Sequence, residues 1–240
     1  MTSILAIIMF GLMMLIGGER GSKSFVTLCG NVGLICLMVF FMYIGISPIL
    51  VTVIGGGLIA ALTLFFQNDN NIKTQVAFIA VVIVIIVFFG FAFLIVYQTN
   101  GGSFNELDTV EEKLYYSSDI DMNMMNIAVS VIIIGLLGAV IDSAMAIATG
   151  VYEVYENNKH LDEKELFKSG INIGKDIIGT TMNTLAFAYL GESLMLYILV
   201  QTLGYSFATL INSSTFFQEF ISILFSGLGC IVIIPLTALL

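Results

Sequence analysis

From Thr74 to Gln98 the chain runs through TQVAFIAVVIVIIVFFGFAFLIVYQ without one charged residue. β-Branched and aromatic side chains dominate it, which in a soluble protein would suggest strands. The run does not alternate and is too long for a buried strand, so a lipid-facing transmembrane helix fits it better. Similar runs fill most of the 240 residues, of which 58% are hydrophobic and 10% charged, with mean hydropathy +1.04. A soluble domain of this size carries roughly 25% charged residues. Continuous rather than alternating runs indicate helices instead of a barrel. The expected fold is an all-α integral membrane bundle of about seven transmembrane helices, a single domain over residues 1–240.

The spans are expected at about 2–17, 25–45, 49–66, 74–98, 122–151, 177–200 and 220–240. The first begins at the initiator methionine, and its only nearby charges, Glu19 and Arg20, follow it. A signal peptide has positive charge first, so this reads as an uncleaved span with its N-terminus outside, although it is short. Ser47-Pro48 breaks the second run from the third, giving a tight hairpin, and Gly55-Gly56-Gly57 lets helices approach closely. The connections Gly17–Ser24, Gln67–Lys73 and a charged, helix-prone segment over 152–176 fall on one side. They hold seven of the eight basic residues: Arg20, Lys23, Lys73, Lys159, Lys164, Lys168 and Lys175, leaving Lys113 opposite. That skew marks the cytoplasmic face, with the C-terminus inside.

The net charge of −9 comes with no basic stripe, which excludes a nucleic-acid partner. The acidic stretch Thr99–Asp121 reads as a solvated face; a funnel concentrating cations at an entrance is the sharper alternative. Cys29, Cys36 and Cys230 lie in apolar runs without Cys-x-x-Cys spacing, so they read as small hydrophobes. His160 reads as a solvated residue rather than a metal ligand. Met122, Met124 and Met125 read as gap-fillers rather than soft-metal ligands, among 12 methionines spread over apolar runs. No phosphate loop, metal-binding His pair or nucleophile elbow is present, so neither an enzyme, a cofactor nor a metal is expected.

The polar exception to this scaffold lies between Gly135 and Gly191. On the fifth span Gly135, Gly138, Asp142, Ala146, Thr149 and Glu153 recur every three or four residues and share one helical face. Past the connection, Asn172, Asp176, Gly179 and Asn183 form a second stripe, flanked by Thr180 and Thr184. A carboxyl in hydrocarbon costs about 2.5–3.5 kcal/mol on insertion scales, so Asp142 needs a partner or a purpose. The expected seam is Asp142, Asn183, Thr180, Thr184, Asp176 and Glu153, with Asp142 facing the bundle interior within reach of Asn183 or Thr180. It is either a proton relay or a structural tie between two helices.

The segments GAVIDSAMAIA (Gly138–Ala148) and SGINIGKDIIGTTMNTLAFAYLGESL (Ser169–Leu194) resemble the YibE/F family of bacterial membrane proteins. Met195 stands where the family pattern has a proline, and no outer domain follows the first span as it does in longer members. The resemblance implies a multi-pass protein of the bacterial plasma membrane, of the shorter type and working with a longer paralogue. A looser similarity links the same region to RND-type permeases and to the SecD and SecF translocation factors. The expected function is that of a transporter or export component, proton-coupled through Asp142. The alternative is a non-transporting subunit that scaffolds or gates a complex. The bilayer and a homo- or hetero-oligomeric partner are the expected associates.

Overall fold

The computed structural model describes residues 2–99, 123–202, 204, 208 and 214–240. Regular structure among them is helical: α1 (Thr2–Tyr43), α2 (Pro48–Ala61), α3 (Ile72–Thr99), α4 (Met124–Asn157), α5 (Glu163–Thr202) and α6 (Ser214–Leu239). A π-helical segment, Leu62–Phe66, continues α2. Among the described residues, five stretches are long and apolar enough to cross a membrane: Ile4–Tyr43, Pro48–Phe66, Ile72–Thr99, Met124–Asn157 and Phe216–Leu239. The chain is a multi-pass helical membrane protein. The helix expected over 177–200 lies within α5. The acidic segment from Asn100 to Asp121 lies outside the described residues.

α1 is two limbs. Gly18 has φ 56° and ψ −132°, a conformation open to glycine and strained for other residues. The rings of Phe10 and Phe25 lie 4.8 Å apart, centroid to centroid. Fifteen residues (25 − 10) of continuous helix would separate them by about 22 Å. The Met13 carbonyl also fills the space that a side chain at Gly21 would need. The chain therefore folds back at Gly18, and the first two apolar runs lie antiparallel.

Local chemistry places the other turns. Ile46 N–H bonds the Phe41 carbonyl and Gly45 N–H the Met42 carbonyl, a Schellman closure with Gly45 at φ 97°. Pro48 then opens α2, where its missing N–H costs nothing. The Asn71 side chain accepts from Thr74 N–H and Thr74 Oγ1 at 3.0 and 2.9 Å, capping α3. Asp162 and Glu165 form a reciprocal capping box: Glu165 N–H donates to Asp162 Oδ1 at 2.8 Å and Asp162 N–H to Glu165 Oε2 at 3.2 Å. The charged, helix-prone connection expected over 152–176 is helical apart from the short link 158–162 between α4 and α5. Helix-forming Glu and Lys residues carry both helices past the apolar boundary.

α4 sits at the centre and packs on α2, α3, α5 and α6. Val129, Ile132, Ile133, Leu136, Val140, Ala144 and Ile147 are among its fully buried side chains. Burial against protein gains no hydrophobic energy over burial against lipid, so close approach through small residues must hold the bundle. Gly56 seats Leu137, Gly229 seats Leu136 and Val140, Gly150 seats Ile173, and Gly174 seats Ile234. α3 departs from the lipid-facing reading on one of its sides. Ala77, Val81, Val84, Phe88, Ala92 and Val96 are buried, and Phe88 meets Phe225 of α6 edge-on at 5.8 Å. A packed apolar face and a lipid-facing one have the same hydropathy, so the sequence does not separate them.

Candidate functional site

Asp142 lies roughly midway along α4, about 22 Å from the helix end at Asn157. Its side chain is exposed and lines an open groove of 340 Å³. The other walls are Ile141, Met145, Ala146 and Thr149 of α4 with Thr63, Leu64, Gln67 and Asn68 of the α2 end. Five of these nine residues are polar. Gln67 and Asn68 begin the polar connection to α3, so the groove runs from mid-helix to one end of the bundle. That end is tied by contacts between connections. Lys23 Nζ meets Asp69 Oδ1 at 3.1 Å and Glu19 Oε1 at 3.6 Å, and Lys73 Nζ stands 5.1 Å over the Tyr152 ring.

The wall opposite Asp142 includes residues that hydropathy reading passed over. Thr63 and Leu64 belong to the π-helical segment, a device often found beside functional sites. Asn31 of α1 donates from Nδ2 to Thr63 Oγ1 at 2.9 Å, while its Oδ1 is buried and unpartnered. Leu62, in the same segment, fills the space over Gly30. Asn31, an isolated amide inside the second apolar run, was the signal available in the sequence.

Among the described residues, none of α5 lines the Asp142 groove. Thr180 donates to the Ile177 carbonyl and Thr184 to the Thr180 carbonyl, each at 2.9 Å, which satisfies the hydroxyls within α5. Asp176, Thr180, Asn183 and Thr184 are all exposed, as is Glu153 on α4. The groove neighbours of Asp142 thus come from the α2 end instead of Asn183 and Thr180. The reason is packing: α5 meets α4 through Gly150–Ile173 and Gly135–Tyr189 and presents its polar stripe outward.

A second groove, of 480 Å³, follows the same α4 face toward its N-terminal end. Val131, Ile134, Gly135, Gly138 and Ala139 line it with Leu185, Ala188 and Tyr189 of α5 and Glu219 and Ser222 of α6. Tyr189 Oη and Ser226 Oγ are 3.1 Å apart beside it. Glu219 was expected just outside the last span; it lies inside α6, which begins at Ser214. Gly138 of this groove and Asp142 of the first are four residues apart, about one turn.

Among the described residues, no group of three or more His, Cys, Asp and Glu gathers as a metal site. His160 is exposed in the link between α4 and α5. Chemically, the arrangement offers one carboxyl held at membrane depth in a polar groove that reaches the bundle's end.

No curated protein and no solved structure matches this chain. The family model described as YibE/F-like protein matches residues 5–240, nearly the whole length, and the chain belongs to the YibE/F-like family.

Proposed function

We propose that this protein is a transport or export component of the bacterial plasma membrane in which Asp142 carries a proton. The observation that supports it is the Asp142 groove: a carboxyl near the middle of the central helix, open to polar surroundings. Ionisable groups in this setting mark substrate paths and proton relays. Counting the two limbs of α1 separately and adding α5 gives seven crossings. The Lys23–Asp69 and Lys73–Tyr152 contacts lie at the end we assign to the cytoplasm, where seven of the eight basic residues fall, with the N-terminus outside.

A non-transporting subunit is the second reading, favoured by the exposed polar face of α5. Asp176, Thr180 and Asn183 on that face are costly against lipid and are suited to a second transmembrane chain, either another copy or a longer paralogue. Both readings keep the protein within the bilayer and give it no chemical step of its own.

Charge displacement on a solid-supported membrane tests the proposal. The full chain in liposomes is exposed to a pH jump from the groove side. Wild type gives a transient current as Asp142 loads, and Asp142→Asn removes it. An identical transient in Asp142→Asn reduces Asp142 to a structural role.

A further inference from the structure

One face of α6 carries Glu219, Ser222, Ser226 and Cys230, spaced by three, four and four residues, so their side chains form one column. The column is buried among apolar helices: Ser222 is 6% exposed, Ser226 0% and Cys230 1%. Its upper end lies in the groove that Glu219 shares with Tyr189. Tyr189 Oη and Ser226 Oγ share a hydrogen at 3.1 Å, either being able to donate. Lower down, Ser143 Oγ donates to Cys230 Sγ at 3.6 Å, and Ser143, 3% exposed, is the residue beside Asp142 on α4. The same face continues to Thr237, 3% exposed, whose Oγ1 is buried with no partner and which lines a groove with Lys73, Tyr152 and Tyr155. Buried hydroxyls are normally satisfied, so the Thr237 hydroxyl at the end of this face is placed to take a further partner such as water.

Resting on the reading of Asp142 as a proton carrier, we infer that Glu219, Ser222, Tyr189, Ser226, Cys230 and Ser143 form a proton path that joins the Glu219 groove to Asp142. Three observations carry it. The two acids line separate grooves along one face of α4, one toward each end of the helix. About one turn of α4, from Gly138 to Asp142, separates the grooves. The buried column on α6 runs alongside that turn, with hydrogen bonds at two heights. Every hydroxyl and the thiol can donate and accept, and residues four apart on a helix lie about 6 Å apart, a gap that one water bridges. Protonated Glu219 releases its proton into the column. Each group passes on its own hydrogen as it accepts the next, and the Asp142 carboxylate takes the last. Glu219 is left as the carboxylate and Asp142 as the acid, so atoms and charge balance with no other reactant.

The test is proton flux into liposomes holding the full chain and a trapped pH dye, driven by an imposed potential. Wild type is expected to carry protons above protein-free vesicles, and Glu219→Gln and Ser226→Ala to lower the flux at least tenfold. Ser226→Thr, which keeps the hydroxyl, restores it; that rescue separates loss of the path from misfolding. Wild-type flux in both Glu219→Gln and Ser226→Ala, with Asp142→Asn silent, overturns the path and leaves the Asp142 reading standing. Wild-type flux in Asp142→Asn removes that reading and the path together. No flux in wild type also overturns the path, while the pH-jump current separately decides the role of Asp142.

Discussion

The rings of Phe10 and Phe25 face one another at 4.8 Å although fifteen residues (25 − 10) separate them. Only a fold-back at Gly18 allows this, so Thr2–Tyr43 comprises two antiparallel helical limbs. With Cys29, Cys36 and Cys230 replaced, cysteines at positions 10 and 25 should join within one chain through a short thiol cross-linker, whatever the protein dilution. A straight helix holds them about 22 Å apart and gives no such product.

The fold-back was legible because Gly17–Ser24 is a polar break between apolar runs, and two spans were expected there. The π-helical segment was not, since LTLFF has nothing in composition to set it apart from α-helix. The site divides in the same way. Asp142 stands out as a charge in an apolar run, and its helical face follows from spacing. Its neighbours depend on which helix packs beside α4, and a single sequence does not contain that. The α6 column was within reach, since positions 219, 222, 226 and 230 keep helical spacing. Serine and cysteine hardly disturb a hydropathy average, so the run around them reads as plain scaffold.

Asn31 and Thr63 should be energetically coupled. Thr63→Val leaves the Asn31 amide without its one hydrogen bond and should cost about 1–3 kcal/mol. Adding Asn31→Leu removes the stranded amide, so the double variant should recover most of that loss. Unfolding in detergent for the four members of the cycle measures it, and strictly additive effects exclude the coupling.

The glycines of α5 should respond according to what stands over them. A side chain at Gly174 meets Ile234, so Gly174→Val should destabilise by about 1–3 kcal/mol through overpacking. Gly179 faces open space on the same helix. Gly179→Ala should stabilise by about 0.5–1 kcal/mol, since alanine loses less backbone freedom in a helix. Equal losses at both positions, measured by thermal unfolding, contradict the packing of α5 on α6.

Sidedness follows from the contacts that gather the connections. In a background without native cysteines, cysteines at Asp69 and Lys164 should react with an impermeant maleimide only after the cells are opened. A cysteine at Thr99, at the far end of α3, should react on intact cells. Labelling of Lys164 and Thr99 positions from the same side removes the proposed orientation.

The exposed polar face of α5 carries the last prediction, an oligomer within the membrane. Gly179, Thr180, Asn183 and Thr184 are exposed there, and the nearby face of α4 is small at Gly138 and Ala146. Small residues and side-chain hydrogen bonds are what helix association in lipid uses, since apolar contact alone gives no preference over acyl chains. The glycine sites at Gly55, Gly56, Gly227 and Gly229 do not serve this purpose: Met38, Leu137, Met182, Leu136 and Val140 of the same chain already occupy them. A second chain should therefore meet α5. Gently solubilised protein from its native membrane should have a mass of at least two chains. Asn183→Cys should cross-link across that contact, and the mass of the product distinguishes a second copy from a longer paralogue. A monomer with no co-purifying chain that still gives the full pH-jump current sinks the oligomer and leaves α5 facing lipid.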